Sequence, residues 1–118
     1  MIFERPMQTM SKLASLLLVV AAFAGPGAHT ASAQSARSLY TKAIARERAV
    51  RDADRDPSLR QLRATIAAYE SLVRRYPASA YCDNALWQAA NVALLAFERF
   101  ADPVDQRTGL RLDRKSVV

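Results

Sequence analysis

Between Ser79 and Phe100 the sequence describes a helix that is apolar on two sides. At 3.6 residues per turn, Ala85, Ala89, Val92 and Ala96 fall on one side, and Leu86, Ala90, Leu94 and Phe97 on another. The polar stripe between them is narrow: Asn84, Gln88, Asn91 and Glu98. A helix of this kind has to be covered on both flanks. The small residues of the first side permit close approach of one neighbour, and the larger residues of the second fill the space to another. Ser79 is the expected N-cap.

The neighbours are written in the flanking sequence. Asp56 is a good N-cap and Pro57 suits a first helical position. Leu59, Leu62, Ile66, Tyr69, Val73 and Tyr76 then follow at alternating steps of three and four until Pro77 stops the helix. Upstream, Ala36 to Arg51 carries Leu39, Tyr40, Ala43 and Ile44 on its apolar side. Downstream, Asp102-Pro103 repeats the cap-and-proline start, so a fourth helix begins near Pro103 and is expected to be cut short at Leu112. The fold class expected is all-α, built of antiparallel helix pairs. With the fourth helix short, an exposed apolar strip around Leu94, Leu95 and Phe97 is expected.

The amino terminus reads differently. Arg5 and Lys12 against Glu4 precede an apolar run, Leu13 to Ala24, broken only by Ser15 and ending at Gly25-Pro26-Gly27. Ala31-Ser32-Ala33 then offers small side chains at both pocket positions of a signal peptidase site, with Gln34 as the first residue after the cut. A run of twelve residues extends only about 18 Å as a helix, against a hydrocarbon core of about 30 Å. Residues 1–33 are therefore expected to be a cleavable export signal and not a stable membrane anchor. The only Cys, Cys82, is too far along for a lipid-modified signal. The expected location is periplasmic or otherwise exported.

The last residues, Asp113-Arg114-Lys115-Ser116-Val117-Val118, do not continue the preceding apolar pattern. They match what a common sequencing-library adapter encodes in one frame before a stop codon, so residues 113–118 are expected to be a non-native tail. That leaves residues 34–112 as an incomplete helical module.

Composition removes several function classes. Three Gly and one Cys in 118 residues exclude collagen-like, linker-like and disulfide-scaffold chains. From residue 34 onward 15 basic residues face 10 acidic ones, but the excess Arg is spread along helical faces with no interleaved aromatics. It is expected to be solvated, and nucleic acid is not an expected partner. Glu47 with Arg51 and Glu70 with Arg74 have the i,i+4 spacing of surface helix pairs.

Catalytic and metal-binding sets are missing from the pattern. Asp52-Ala53-Asp54-Arg55-Asp56 opens like a calcium loop, but Pro57 stands where Gly is needed and Arg63 where the bidentate Glu belongs. His29, the only His, precedes the expected cleavage site, so no His-containing zinc site can form in the remainder. Ser71, Ser79 and Thr65 have no base to activate them. No catalytic residue, cofactor-binding residue or metal ligand is expected in this chain. Cys82 fits a small buried apolar residue. Tyr69, Tyr76, Tyr81 and Trp87, with Leu94 and Phe97, are the candidate interaction surface, either lining a groove for a peptide or packing between helices.

The run Tyr69-Glu70-Ser71-Leu72-Val73-Arg74-Arg75-Tyr76-Pro77-Ala78-Ser79-Ala80-Tyr81, followed by Asp83-Asn84-Ala85-Leu86-Trp87-Gln88-Ala89-Ala90, resembles the tetratricopeptide-like repeats of bacterial envelope proteins. Among these are the outer-membrane-assembly lipoproteins and the periplasmic coordinators of the Tol-Pal system. Leu39-Tyr40 and Ala43 recur as Leu86-Trp87 and Ala90, displaced by 47 residues, against about 34 for an ideal tetratricopeptide repeat. The signal followed by these helices is also similar to the non-catalytic front region of some N-acetylmuramoyl-L-alanine amidases. The resemblance implies a truncated α-solenoid whose partners are envelope proteins or a downstream catalytic domain of the same parent. Zinc would belong only to that missing domain, and none of its ligands can be placed here. The other implied role is a free-standing scaffold of outer-membrane assembly or cell division.

Overall fold

The computed structural model describes residues 27–117, with side-chain surroundings from 31 to 116. Four helices fill them: α1 (Gly27–Arg51), α2 (Leu59–Arg75), α3 (Cys82–Phe100) and α4 (Pro103–Val117), with no strand among the described residues. The chain from Ala33 onward forms one compact unit. The apolar run 13–24 lies outside the described residues.

Cross-links between helices fix their directions. Arg99 near the end of α3 reaches Asp56, just before α2, at 2.8 Å, so α2 and α3 are antiparallel. Arg63 in the first half of α2 holds Asp105 at the start of α4 at 2.8 Å, and Glu70 further along α2 meets Arg111 further along α4 at 3.5 Å. α2 and α4 therefore run the same way. Tyr40 of α1 touches Tyr69 of α2, while Arg46 and Val50 share a groove with Arg60 and Gln61 near the start of α2, so α1 and α2 are antiparallel.

The core lies where the sequence periodicity puts it. Leu62, Ile66 and Tyr69 of α2, Ala43 of α1, and Ala85, Ala89, Val92 and Ala96 of α3 are all buried. Each fully buried large apolar side chain contributes roughly 1.5–3 kcal/mol relative to exposure. Leu72 and Thr65 join them, the Thr65 hydroxyl donating to the Gln61 carbonyl at 3.0 Å. α3 is packed against both α2 and α4.

Helix ends depart from expectation in four places. At α2 the N-cap is Ser58, not Asp56: the Ser58 hydroxyl accepts from the Gln61 N–H at 3.1 Å, and the Gln61 side chain accepts from the Ser58 N–H at 2.9 Å. This reciprocal box satisfies two free amides, and Pro57 is left as a buried residue ahead of it. α3 begins at Cys82, because a turn through Pro77 and Ala78 engages Ser79 first. The Ser79 N–H donates to the Tyr76 carbonyl at 3.0 Å, and the Ser79 hydroxyl accepts from the Tyr81 N–H at 3.1 Å.

α4 starts as expected, with the Asp102 carboxylate accepting from the Val104 N–H at 3.0 Å. It does not end at Leu112. Leu112 is 1% exposed and belongs to the core, and the helix runs on to Val117. Asp113, Arg114 and Lys115 are exposed and have no feature that breaks a helix. α1 starts at Gly27 and not near Ala36.

Candidate functional site

The largest exposed apolar side chain on α3 is Trp87, with 55% of its surface open. Asn91, Leu94 and Glu98 follow it at steps of four, three and four, so the four form one ridge along the helix. Leu94 is 37% exposed. Beside the ridge lies α1, and Glu47, Arg51, Gln88 and Leu95 complete a groove of about 420 Å³ between the two helices. Its chemistry is mixed: an indole, two leucines, two amides, two carboxylates and a guanidinium.

The α1 wall is fixed from inside. Glu47 falls in the same 3–4 series as Ala43 and Val50 and is buried with them. The Tyr69 hydroxyl, from the centre of α2, donates to Glu47 Oε1 at 2.7 Å, and Arg51 Nε donates to Oε2 at 2.8 Å. Burial first, and the adjoining carboxylate second, push the Tyr69 phenol well above its usual range, so the hydroxyl stays a donor. The ring of Tyr40 stacks on Tyr81 at 4.9 Å and tilts against Tyr69 at 6.3 Å. These contacts tie α1 to the α2–α3 hairpin and hold Arg51 beside the ridge.

The α3 wall is fixed from the other side. An added Cβ at Gly109 of α4 would lie 2.9 Å from Leu94 Cδ2, so the bare backbone of α4 runs directly beneath Leu94. Arg63 clamps the start of α4 by donating to both Asp105 and Asp102. The Val104 N–H, and then Arg63, hold the Asp102 carboxyl below its ordinary value. Asp105 is 2% exposed and thus a buried charge with its partner in place.

The candidate surface residues separate. Trp87 and Leu94 line the groove, and Phe97 is half-buried on the neighbouring side of α3. Tyr69 has no exposed surface and belongs to the core. Tyr76 caps α2 half-buried, and Tyr81 is half-buried under Tyr40. Leu95, expected in the exposed strip, is packed against the core, whereas Phe100, Val104 and Leu110 are exposed. Ala31, Ala33 and Gln34 lie in α1 with exposed side chains.

Glu47 and Arg51 were expected as a solvated surface pair, and Glu70 as the partner of Arg74. Glu47 is buried in the core instead while Arg51 stays exposed, and Glu70 meets Arg111. The signal for Glu47 was its helical register between Ala43 and Val50.

Cys82 is buried, and its thiol donates to the Tyr76 carbonyl at 3.1 Å. Burial pushes that thiol up from its usual value. Among the described residues no group of three or more His, Cys, Asp or Glu is placed to hold a metal ion. No described helix is long and apolar enough to cross a membrane. In comparisons with protein-family models, curated proteins and solved structures, nothing matches this chain.

Proposed function

We propose that this chain is an exported, non-catalytic helical module of tetratricopeptide-like build that binds a segment of another envelope component in the groove between α1 and α3. The observation that carries the proposal is the ridge of Trp87 and Leu94, exposed along a helix that is itself packed against both α2 and α4. Large apolar side chains kept open on a rigid wall, with amides and charges beside them, suit recognition of a partner.

The helix directions support the repeat. α2 and α4 run parallel through the Arg63 and Arg111 pairs. Tyr40 of α1 lies beside Tyr81 at the start of α3, while Glu47 and Arg51 lie beside its later turns, so those helices are parallel too. Two stacked pairs of this kind leave the first helices of each pair side by side, which is how such solenoids make a concave surface. Two of the three repeated pairs have related environments: Ala43 and Ala90 are both buried, and Leu86 is buried where Leu39 packs partly buried against the core, whereas Tyr40 is half-buried and Trp87 exposed.

Export is supported by the basic start, apolar run and Ala31-Ser32-Ala33, and the compact unit begins at Ala33. As for the parent protein, the resemblance favours a module that positions the zinc-dependent domain of an N-acetylmuramoyl-L-alanine amidase. Gene sequence past the codon for Leu112 that encodes two His and two Glu in metal-ligand arrangement supports that parentage. Further helix pairs there make the chain a scaffold of outer-membrane assembly or Tol-Pal type.

The direct test uses an array of overlapping peptides probed with the full chain and with a Trp87→Ala, Leu94→Ala variant. Peptides retained by the wild type and lost by the variant, with circular dichroism unchanged, support the proposal. Absence of retention, or retention that ignores both substitutions, overturns it. Release of any peptide from muropeptides by the purified chain with zinc added would overturn its non-catalytic character.

A further inference from the structure

The groove between α1 and α3 differs in charge from the chain around it. The protein carries a formal net charge of +6, yet the groove's charged walls are Glu47, Arg51 and Glu98. Glu47 and Arg51 neutralise each other at 2.8 Å. Glu98 has no ion-pair partner among the described residues, and its neighbour Arg99 pairs with Asp56. The groove is thus a locally acidic site on a basic protein, with Glu98 at one end and the Trp87 indole at the other.

From these observations, and resting on the module's proposed role as a binder of extended segments, we infer that the ligand is a cationic peptide. Its Lys or Arg faces Glu98, and its apolar residue sits between Trp87 and Leu94.

The spacing follows from helix geometry. Trp87 and Glu98 are eleven residues apart, about 16 Å at 1.5 Å per residue, the length of about five extended residues. The centre of the Trp87–Leu94 interval lies about 11 Å from Glu98 by the same rise. That is between three and four extended residues, and side chains two or four apart share a face of a strand. The motif is therefore an apolar residue with a Lys or Arg four positions away.

The amides are suited to the backbone of such a peptide. Asn91 Nδ2 donates to the Trp87 carbonyl at 2.9 Å, which leaves its Oδ1 to accept a peptide N–H. Gln88, half-buried one turn away, offers a second donor and acceptor.

Trp87 is the only Trp, so its emission reports occupancy of the groove directly. The experiment titrates the full chain with three capped peptides: Ala-Leu-Ser-Ala-Ser-Lys and the same sequence ending in Gln or Glu. The expected result is a blue shift of Trp87 emission, with the Lys peptide binding at least about threefold tighter than the Gln peptide, the scale of one exposed charge pair. The Glu peptide should be weaker again. Glu98→Gln should abolish the preference and Glu98→Lys should invert it, while both variants keep the wild-type circular dichroism.

Equal affinity for all three peptides, or a preference that survives Glu98→Gln, overturns the charge inference and leaves the module's proposed role standing. So does a shift seen with N-acetylglucosamine oligomers alone while the peptide array still gives retained peptides. No response to these peptides and no retention on the array overturns both.

Discussion

Replacing Tyr69 by Phe and Glu47 by Leu, singly and together, probes the contact that fixes the α1 wall. Tyr69 is 0% and Glu47 9% exposed, and their hydrogen bond is 2.7 Å long. Tyr69→Phe leaves one carboxylate oxygen of Glu47 against an apolar ring. A hydrogen bond to a charged group is worth about 1.5–3 kcal/mol, and because Arg51 still neutralises the carboxylate the loss should be near the lower end, about 2 kcal/mol. Glu47→Leu strands the Tyr69 hydroxyl in the core at a cost of about 1–3 kcal/mol and frees Arg51 to water. The double variant strands nothing, and exchanging both partners for apolar groups is close to neutral. It should therefore be no worse than either single change, with a coupling of about 2 kcal/mol. Urea unfolding followed by far-ultraviolet circular dichroism measures all four corners, and an unchanged slope shows that only stability has moved. Losses that add to within about 0.5 kcal/mol would refute the claim that these two side chains act as one buried unit.

Three further outcomes follow from local geometry. Ala101 ends α3 with φ 56° and ψ 26°, a left-handed conformation that costs a non-Gly residue roughly 1–2 kcal/mol. Ala101→Gly should raise the urea midpoint by an amount equivalent to about 1 kcal/mol. Gly109→Ala in an otherwise wild-type chain sets the helix-propensity gain against the 2.9 Å approach to Leu94. In a Leu94→Ala background the obstacle is gone and the same change should stabilise by about 0.5–1 kcal/mol. The Tyr69 phenol is pushed up in the folded state, so it favours folding below the unfolded value of about 10. Stability should be flat in this contribution at neutral pH and fall as pH rises above about 10, and Tyr69→Phe should flatten that fall in urea titrations at pH 8 to 11.

The helices were legible because their apolar residues recur at steps of three and four, a signal strong enough to bury Leu62, Ile66, Tyr69, Ala85, Ala89, Val92 and Ala96 as expected. Their starts were less so. Asp56-Pro57 and Ser58-Leu59-Arg60-Gln61 are both helix-start signals, and only the second satisfies two amides at once. Long-range charge pairs were not legible at all. Arg63 with Asp105, Arg99 with Asp56, and Arg111 with Glu70 join residues that only the packing of α2, α3 and α4 brings together.

At the groove, Trp87 and Leu94 were on the candidate surface with Tyr69, Tyr76 and Tyr81, and periodicity could not separate a groove aromatic from a core one. Glu47 was obscured for a related reason. A carboxylate on an apolar face looks like a surface pair with Arg51 until the Tyr69 hydroxyl is seen to meet it.

Amide hydrogen exchange along α3 tests the architecture most directly. A helix packed against both α2 and α4 should open only with global unfolding. The amides from Ala85 to Ala96 should then be the slowest in the chain, with protection matching the urea-derived stability. Fast exchange across Ala85 to Ala96, while α2 stays protected, would mean that α3 lacks its second neighbour, and the ridge carrying Trp87 and Leu94 would not be a rigid wall.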